Sequence, residues 1–276
     1  MSEFFDHDQF RSETPIELDE FLSICDEGVI ASDEHSILAQ RSALASLGKN
    51  KRFLVEQLRL RLEHPSRWYV EEAKARHSDQ SIVLARRDTY YVRVASWRPP
   101  STQNGTTNWD NDFFSYNYAH NHSFSLLSVG LHGSGYTSQN HSLVIPPTHL
   151  KPQQAVTLAP APSFTLAEGD VVFYRKWYDV HDQKPPADFS LSLNLLVADS
   201  TVPQYGFDID RSVVLSQIDG PGHKLGVLLE LAQRLLGEEA RDILKWAGSH
   251  ANVAPVVQDQ IRAHLARLDR ANPGTR

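Results

Sequence analysis

The chain predicts a mainly β core set between two helical zones. Three observations carry this. Short strand-like runs recur at 81–85, 89–97, 122–131, 142–145, 155–158, 170–178 and 189–197. Proline pairs at 99–100, 146–147 and 185–186 and a polar stretch at 101–111 punctuate them, as turns do in a sandwich or barrel. On either side, apolar residues change to helical spacing.

The first zone, residues 1–78, reads mostly as helix from residue 15. Leu44, Leu47, Phe53, Leu54, Leu58, Leu60 and Leu62 fall near helical spacing, with Lys and Arg between them. Thr14 before Pro15 is a plausible helix start, since proline suits a first helical turn. The central zone is residues 79–215. Its last run, Phe189 to Val197, alternates apolar and polar with period two, the pattern of a half-buried strand. The third zone, residues 220–276, carries three amphipathic stripes. Leu225, Leu228, Leu229, Ala232, Leu235 and Leu236 make the first; Ile243, Leu244 and Ala247 the second; Val256, Val257, Ile261, Leu265 and Leu268 the third. A three-helix extension is expected there, for packing or for a partner surface.

Composition narrows the function. With 276 residues, 41% hydrophobic and 22% charged, the chain is ordinary globular material. A net charge of −7 with no long basic run gives no footprint for nucleic acid. Cys25 is the single cysteine, so a thiolate cluster and an internal disulfide are both excluded, and a reducing cytoplasm fits. The acidic N-terminal residues lack the apolar core of a signal peptide. No run approaches the roughly 18 apolar residues of a membrane span.

The chemistry centres on His120-Asn121-His122, at the entrance to an apolar run. Residues i and i+2 of a strand share a face, so both imidazoles can reach one ion. Neutral imidazole is the commonest side-chain ligand of transition metals. His181, in a second strand-like run, supplies a third. His132 and His141 are alternative ligands, His132 beside a glycine turn reading more simply as a loop residue, and His149 after Pro146-Pro147-Thr148 reads as a loop histidine. No His-x-Asp/Glu occurs at 120–122, so a two-histidine, one-carboxylate site is the weaker reading. Three neutral imidazoles leave a divalent ion its full charge and open positions, which invites an anionic, chelating substrate.

Strand phase adds further candidates. Arg93 shares a face with Tyr91 and Trp97, and an arginine inside a barrel is costly unless paired. It is placed to clamp a substrate carboxylate, or to form a structural ion pair with Asp88 or Asp110. Tyr118 falls on the face of His120, so Tyr118 and Tyr91 are candidate hydrogen-bond donors to bound oxygen. Arg175, Gln183, Ser192 and Asn194 are further polar candidates, Arg175 and Asn194 for substrate contact.

The segment resembles the cupin superfamily. Its first motif runs G-x5-H-x-H-x(3,4)-E-x6-G and its second G-x5-P-x-G-x2-H-x3-N. His120 and His122 match the histidine pair, and Gly133 the closing glycine. Gly169 matches the start of the second motif, with His181 one residue past its histidine. Leu126 stands where the motif has a glutamate ligand, Phe114 or Ser115 where it opens with glycine, and Arg175 to Trp177 where it has Pro-x-Gly. The resemblance covers roughly residues 115–197.

It implies a double-stranded β-sandwich, or jelly roll. The missing glutamate is similar to the three-histidine, thiol-dioxygenase-like subgroup. That subgroup implies Fe(II), O2 and a small polar or amino-acid-like substrate bound directly to iron. Zn, Mn or Ni acting as Lewis acid in an isomerase, lyase or hydrolase is the competing expectation. A non-enzymatic ligand- or partner-binding module is a third. No organic cofactor is expected. By analogy with cupins a homodimer is expected, and the flanking helices leave room for a carrier-protein or peptide partner.

Overall fold

The computed structural model describes residues 2–63, 80–100, 114–144, 150–197 and 203–218, with isolated helical positions at 241–242, 244–246, 261–262 and 265. Two six-stranded sheets form the core. Their strands are β1 (Glu3–Phe5), β2 (Ser81–Arg86), β3 (Tyr90–Trp97), β4 (His120–Asn121), β5 (Ser125–His132), β6 (Thr137–Leu143), β7 (Leu158–Thr165), β8 (Val171–Tyr174), β9 (Asp179–Lys184), β10 (Ser190–Val197), β11 (Tyr205–Asp208) and β12 (Val213–Gln217). The first sheet runs β1-β8-β5-β10-β3-β2 and the second β12-β11-β4-β9-β6-β7. The chain passes back and forth between them, and the paired strands are antiparallel throughout. This is the jelly-roll sandwich that the strand pattern leads one to expect.

The N-terminal helices cover one face of the first sheet. They are α1 (Leu18–Gly28), α2 (Glu34–Leu38), α3 (Arg41–Lys49) and α4 (Lys51–Glu63). Phe21, Leu22, Ile37, Leu44 and Leu47 pack against Val92, Leu127, Val129, Leu193 and Leu195 in one buried cluster. Cys25 lies in that cluster, and burial pushes its thiol up to about 12, so it is an inert packing residue.

Several sequence expectations shift. The first α-helix begins at Leu18, after Glu17, rather than at Pro15. The apolar run from Leu44 to Leu62 is two helices. Asn50 breaks it: its amide donates to the Ile16 carbonyl at 2.9 Å and its side-chain oxygen accepts from Arg52 N at 3.1 Å. Beyond the break only Phe53 is buried, and Leu58, Leu60 and Leu62 are exposed. The N-terminal zone is also not wholly helical, since β1 pairs with the edge of β8.

The expected strand over 122–131 starts only at Ser125: residues 122–124 are a break, and β4 before them lies in the other sheet. The run 170–178 holds only β8, in the first sheet, and the turn after it; β9 follows in the second sheet. His181 therefore sits inside a strand that starts after a turn, rather than at the end of one. Pro160 and Pro162 belong to β7, which is tolerated because β7 is an edge strand paired only with β6. Of the C-terminal stripes, Leu244 and Ile261 are buried helical positions and Leu265 is helical, half-buried. The other stripe residues lie outside the described residues.

Candidate metal centre

His120 and His181 are direct cross-strand partners between β4 and β9. His122 lies just past the end of β4, where the chain leaves the second sheet for the first. One potential ligand atom from each of the three comes within 4.8 Å of the others. The Nε2 atoms of His120 and His181 are 3.2 Å apart. Two imidazoles bound to one ion at about 2.0–2.1 Å place their nitrogens at about this separation.

The tautomer of His120 is fixed by its neighbour. Its Nδ1 donates to the Tyr118 carbonyl at 2.8 Å, which leaves Nε2 with a free lone pair. All three rings are buried, and burial holds each imidazole below its ordinary pKa, well below for His122 and His181. They are neutral at pH 7, the form that binds a metal. Nδ1 of His122 and Nδ1 of His181 are buried with no hydrogen-bond partner. Three converging neutral rings, with no carboxylate in the cluster and polar ring atoms left unanswered, fit a divalent transition metal.

The surroundings lock these rings. Phe124 stacks on His122 at 4.7 Å, and Tyr174 lies against His181 at 4.6 Å between ring centroids. The Tyr174 hydroxyl donates to Ser138 at 2.9 Å, and Ser138 to Asn140 at 2.8 Å. Asn121, between the two histidines, is fully buried and structural. Its amide donates to the Trp177 carbonyl at 2.9 Å and its oxygen accepts from Tyr205 N at 2.8 Å. Trp177 N in turn donates to the His122 carbonyl at 2.8 Å. The two places where the chain changes sheets beside the centre are thus stitched to each other.

The other sequence candidates divide. Arg93 and Asn194 are register partners on the inner face of the first sheet, and Tyr91 and Trp97 share that face. Asn194 accepts from Ser128 at 2.6 Å, and Trp97 Nε1 donates to Ser192 at 3.0 Å. The Tyr91 ring carries the Arg86 guanidinium 5.3 Å from its centroid. The Tyr118 ring is stacked near His120 at 6.2 Å, but its hydroxyl is bonded to Ser216 at 2.7 Å. Its carbonyl, rather than its phenol, serves the centre.

Arg175 opens the turn between β8 and β9. It pairs with Asp179 at 2.8 Å and reaches Ser142 at 3.2 Å, so it pins the β8–β9 turn. Strand phase could not show this, because phase gives a face and not a partner. His132 is exposed beside Glu168, His141 stands outside the cluster, and His149 lies outside the described residues.

Sequence reading missed Asn121, Phe124, Tyr136 and Tyr174. Tyr136 is buried, bonded to Gln183, and held well above the ordinary phenol range by burial. Its one sequence signal is Gly135, whose φ of 75° marks a turn into β6.

No family model matches the chain, and no curated protein matches it. Solved structures resemble it at low scores. One is a hydroquinone 1,2-dioxygenase, PnpCD, in complex with Cd2+ and 4-hydroxybenzonitrile: 10% identity over 46% of this chain and 69% of that one, TM-score 0.30. Another is the DMSP lyase DddQ of Ruegeria pomeroyi: 14% identity over 48% and 56%, TM-score 0.27. A third is a cupin superfamily protein of Desulfitobacterium hafniense: 10% identity over 47% and 88%, TM-score 0.25. The chain matches these structures over somewhat less than half of its length. It spans little more than half of the lyase it matches.

Proposed function

We propose that the protein is a mononuclear metal enzyme that oxidises a small polar or amino-acid-like substrate with O2. One observation carries the reading: His120, His122 and His181 bring three neutral ring nitrogens together with no carboxylate among them. Fe(II) is the ion this reading favours, and it would supply open positions at which substrate and O2 are held side by side.

The protein's own work is positional. The Tyr118 carbonyl keeps the lone pair of His120 Nε2 pointed inward. Phe124 and Tyr174 hold the other two rings and keep water from their faces. Tyr91, Arg93, Trp97 and Asn194 are the proposed substrate-facing wall. An all-imidazole donor set suits Zn and Ni as well, so elimination or isomerisation by Lewis-acid chemistry is the second reading. One buried free cysteine agrees with a reducing cytoplasm.

The test is metal content followed by oxygen uptake. Protein from iron-replete cells, purified without chelator, is expected to hold one iron per chain and to consume O2 when a substrate is supplied. Stoichiometric metal with turnover but no O2 uptake selects the Lewis-acid reading. Absence of any stoichiometric metal defeats both.

A further inference from the structure

The helix side of the first sheet is not filled everywhere. A cavity of about 370 Å³ lies between the 3-10 turn His7–Phe10, the end of α3 and the turn that feeds β8. Sites for small molecules begin at about 300 Å³. Phe10, Ala45 and Gly48 give this cavity an apolar floor, and Arg11, Lys49, Lys51 and Glu168 give it a charged rim. It is separate from the metal centre. Gly48 stands against Val129, since a Cβ on it would lie 3.1 Å from that side chain. Val129 faces the helices, and its neighbour Ser128 faces the second sheet.

The protein carries a net charge of −7, yet this rim is basic. Lys51 is matched by Glu168 at 3.0 Å, and Arg11 Nη2 by Asp8 at 2.8 Å. Among the described residues no carboxylate matches Lys49. Its ammonium donates instead to the carbonyls of Phe10, Arg11 and Glu13, at 2.5, 3.2 and 2.7 Å. Three neutral acceptors hold that group in place and leave its charge standing. Arg11 has five N–H donors, and the pair with Asp8 uses only those on Nη2. One uncancelled positive charge above an apolar floor calls for one negative charge on an apolar body.

We propose that this cavity binds a small organic carboxylate, and that its occupant fastens the N-terminal strand to the sheet. The carboxylate meets Arg11 in the field of Lys49, and the apolar body lies on Phe10 and Ala45. Inorganic phosphate has more charge and no apolar part, and suits the cavity less. The strand is concerned because the 3-10 turn follows β1 directly. Gly169, at a φ of 87°, lets that turn come close: a Cβ on it would lie 3.0 Å from His7 Cβ. His7 is tied to Asp170 through its main-chain N and its ring. When β1 and the turn peel away, one wall of the cavity leaves with them and the ligand is released. Binding therefore favours the closed strand in proportion to ligand concentration. The site needs no metal and stands apart from the reading of the histidine centre.

The experiment uses the full-length protein, with benzoate as probe and benzamide as its uncharged control. Benzoate is expected to shift the amide resonances of residues 7–11 and 45–51. It is also expected to raise the amide protection of Phe4 and Phe5, about 100-fold at a concentration about 100 times its Kd. Benzamide is expected to do neither. His181→Ala is expected to keep the whole response, because the metal centre lies on the other face. Lys49→Met and Arg11→Gln are each expected to weaken benzoate about ten-fold. Lys49→Met also gives up three bonds to carbonyls, so Arg11→Gln, at an exposed position, supplies the decision should Lys49→Met fail to fold. Ala45→Leu is expected to abolish binding by filling the floor. Wild type that ignores benzoate, answers benzamide equally, or shifts only at residues 118–125 and 175–181 overturns the proposal. So does a response lost in His181→Ala, or one unchanged in Arg11→Gln and Ala45→Leu.

Discussion

The two faces of the first sheet are both covered, yet they are built from different materials. On the helix side, Val92, Val94, Leu127, Leu193 and Leu195 meet Phe21, Ile37 and Leu47. On the side facing the second sheet, the same strands present Arg93, Ser128, Ser192 and Asn194 among Ala95, Trp97, Leu126 and Leu196. In an ordinary two-layer sandwich the polar face of an alternating strand is the wet one. Here the helices take the wholly apolar face, and the mixed face with its polar groups turns inward. The outer face is where stability resides, and the inner face is where chemistry can be done.

Substitutions that separate the two faces put this division to the test. The largest effect is expected at the centre. His181→Ala should reduce bound metal from one per chain to near zero by elemental analysis, with the far-ultraviolet circular dichroism of the folded chain kept. Retained stoichiometric metal would remove His181 from the ligand set. On the other face, Leu195→Ala should cost about 2–5 kcal/mol in denaturant unfolding, the range for a buried leucine, while metal per folded chain stays constant. If Leu195→Ala depleted metal as His181→Ala does, the division of labour between the faces would fail.

The smallest effect is expected at the edge, where β1 closes the side of the first sheet. His7 N and His7 Nδ1 both approach Asp170 Oδ1, at 2.9 and 3.1 Å, and Phe4 stacks on Phe164 at 4.9 Å. The bond to Asp170, aided by the charge of Asp6, raises the His7 pKa above its ordinary value. The stabilisation from a raised histidine is complete below the unfolded pKa of about 6.5 and is lost as pH rises through the folded one. Amide protection of Phe4 and Phe5 should therefore decline across that window, and His7→Gln should flatten the decline. Protection that rose with pH would reverse the sign and dismiss the latch.

Much of this was legible in the chain. Period-two alternation in Ser190 to Val197 identified β10, and the same rule put His120 and His122 on one face. The alternation could not say which face was wet, because that depends on helices more than a hundred residues away in sequence. The break at 122–124 was illegible for a related reason. Ser-Phe-Ser-Leu-Leu continues a good strand locally, and only pairing with β9 on one side and β8 on the other divides it. β7 was hidden by its prolines, and β4, β11 and β12 by being short. Arg175 and Tyr118 show the limit at the site itself, since both carry suitable groups that local partners have already taken.

The stitch between Asn121 and Trp177 bears on how the molecule moves. Trp177 has a φ of 66°, a left-handed conformation that few bulky residues adopt, and it donates to the His122 carbonyl while its own carbonyl accepts from Asn121. Two crossover segments that would otherwise fluctuate separately are thereby made one mechanical unit. Chelation by rings on both segments would act on that unit as a damper. Exchange broadening on the microsecond-to-millisecond scale at residues 118–125 and 175–181 is then a reporter of occupancy that needs no knowledge of the substrate.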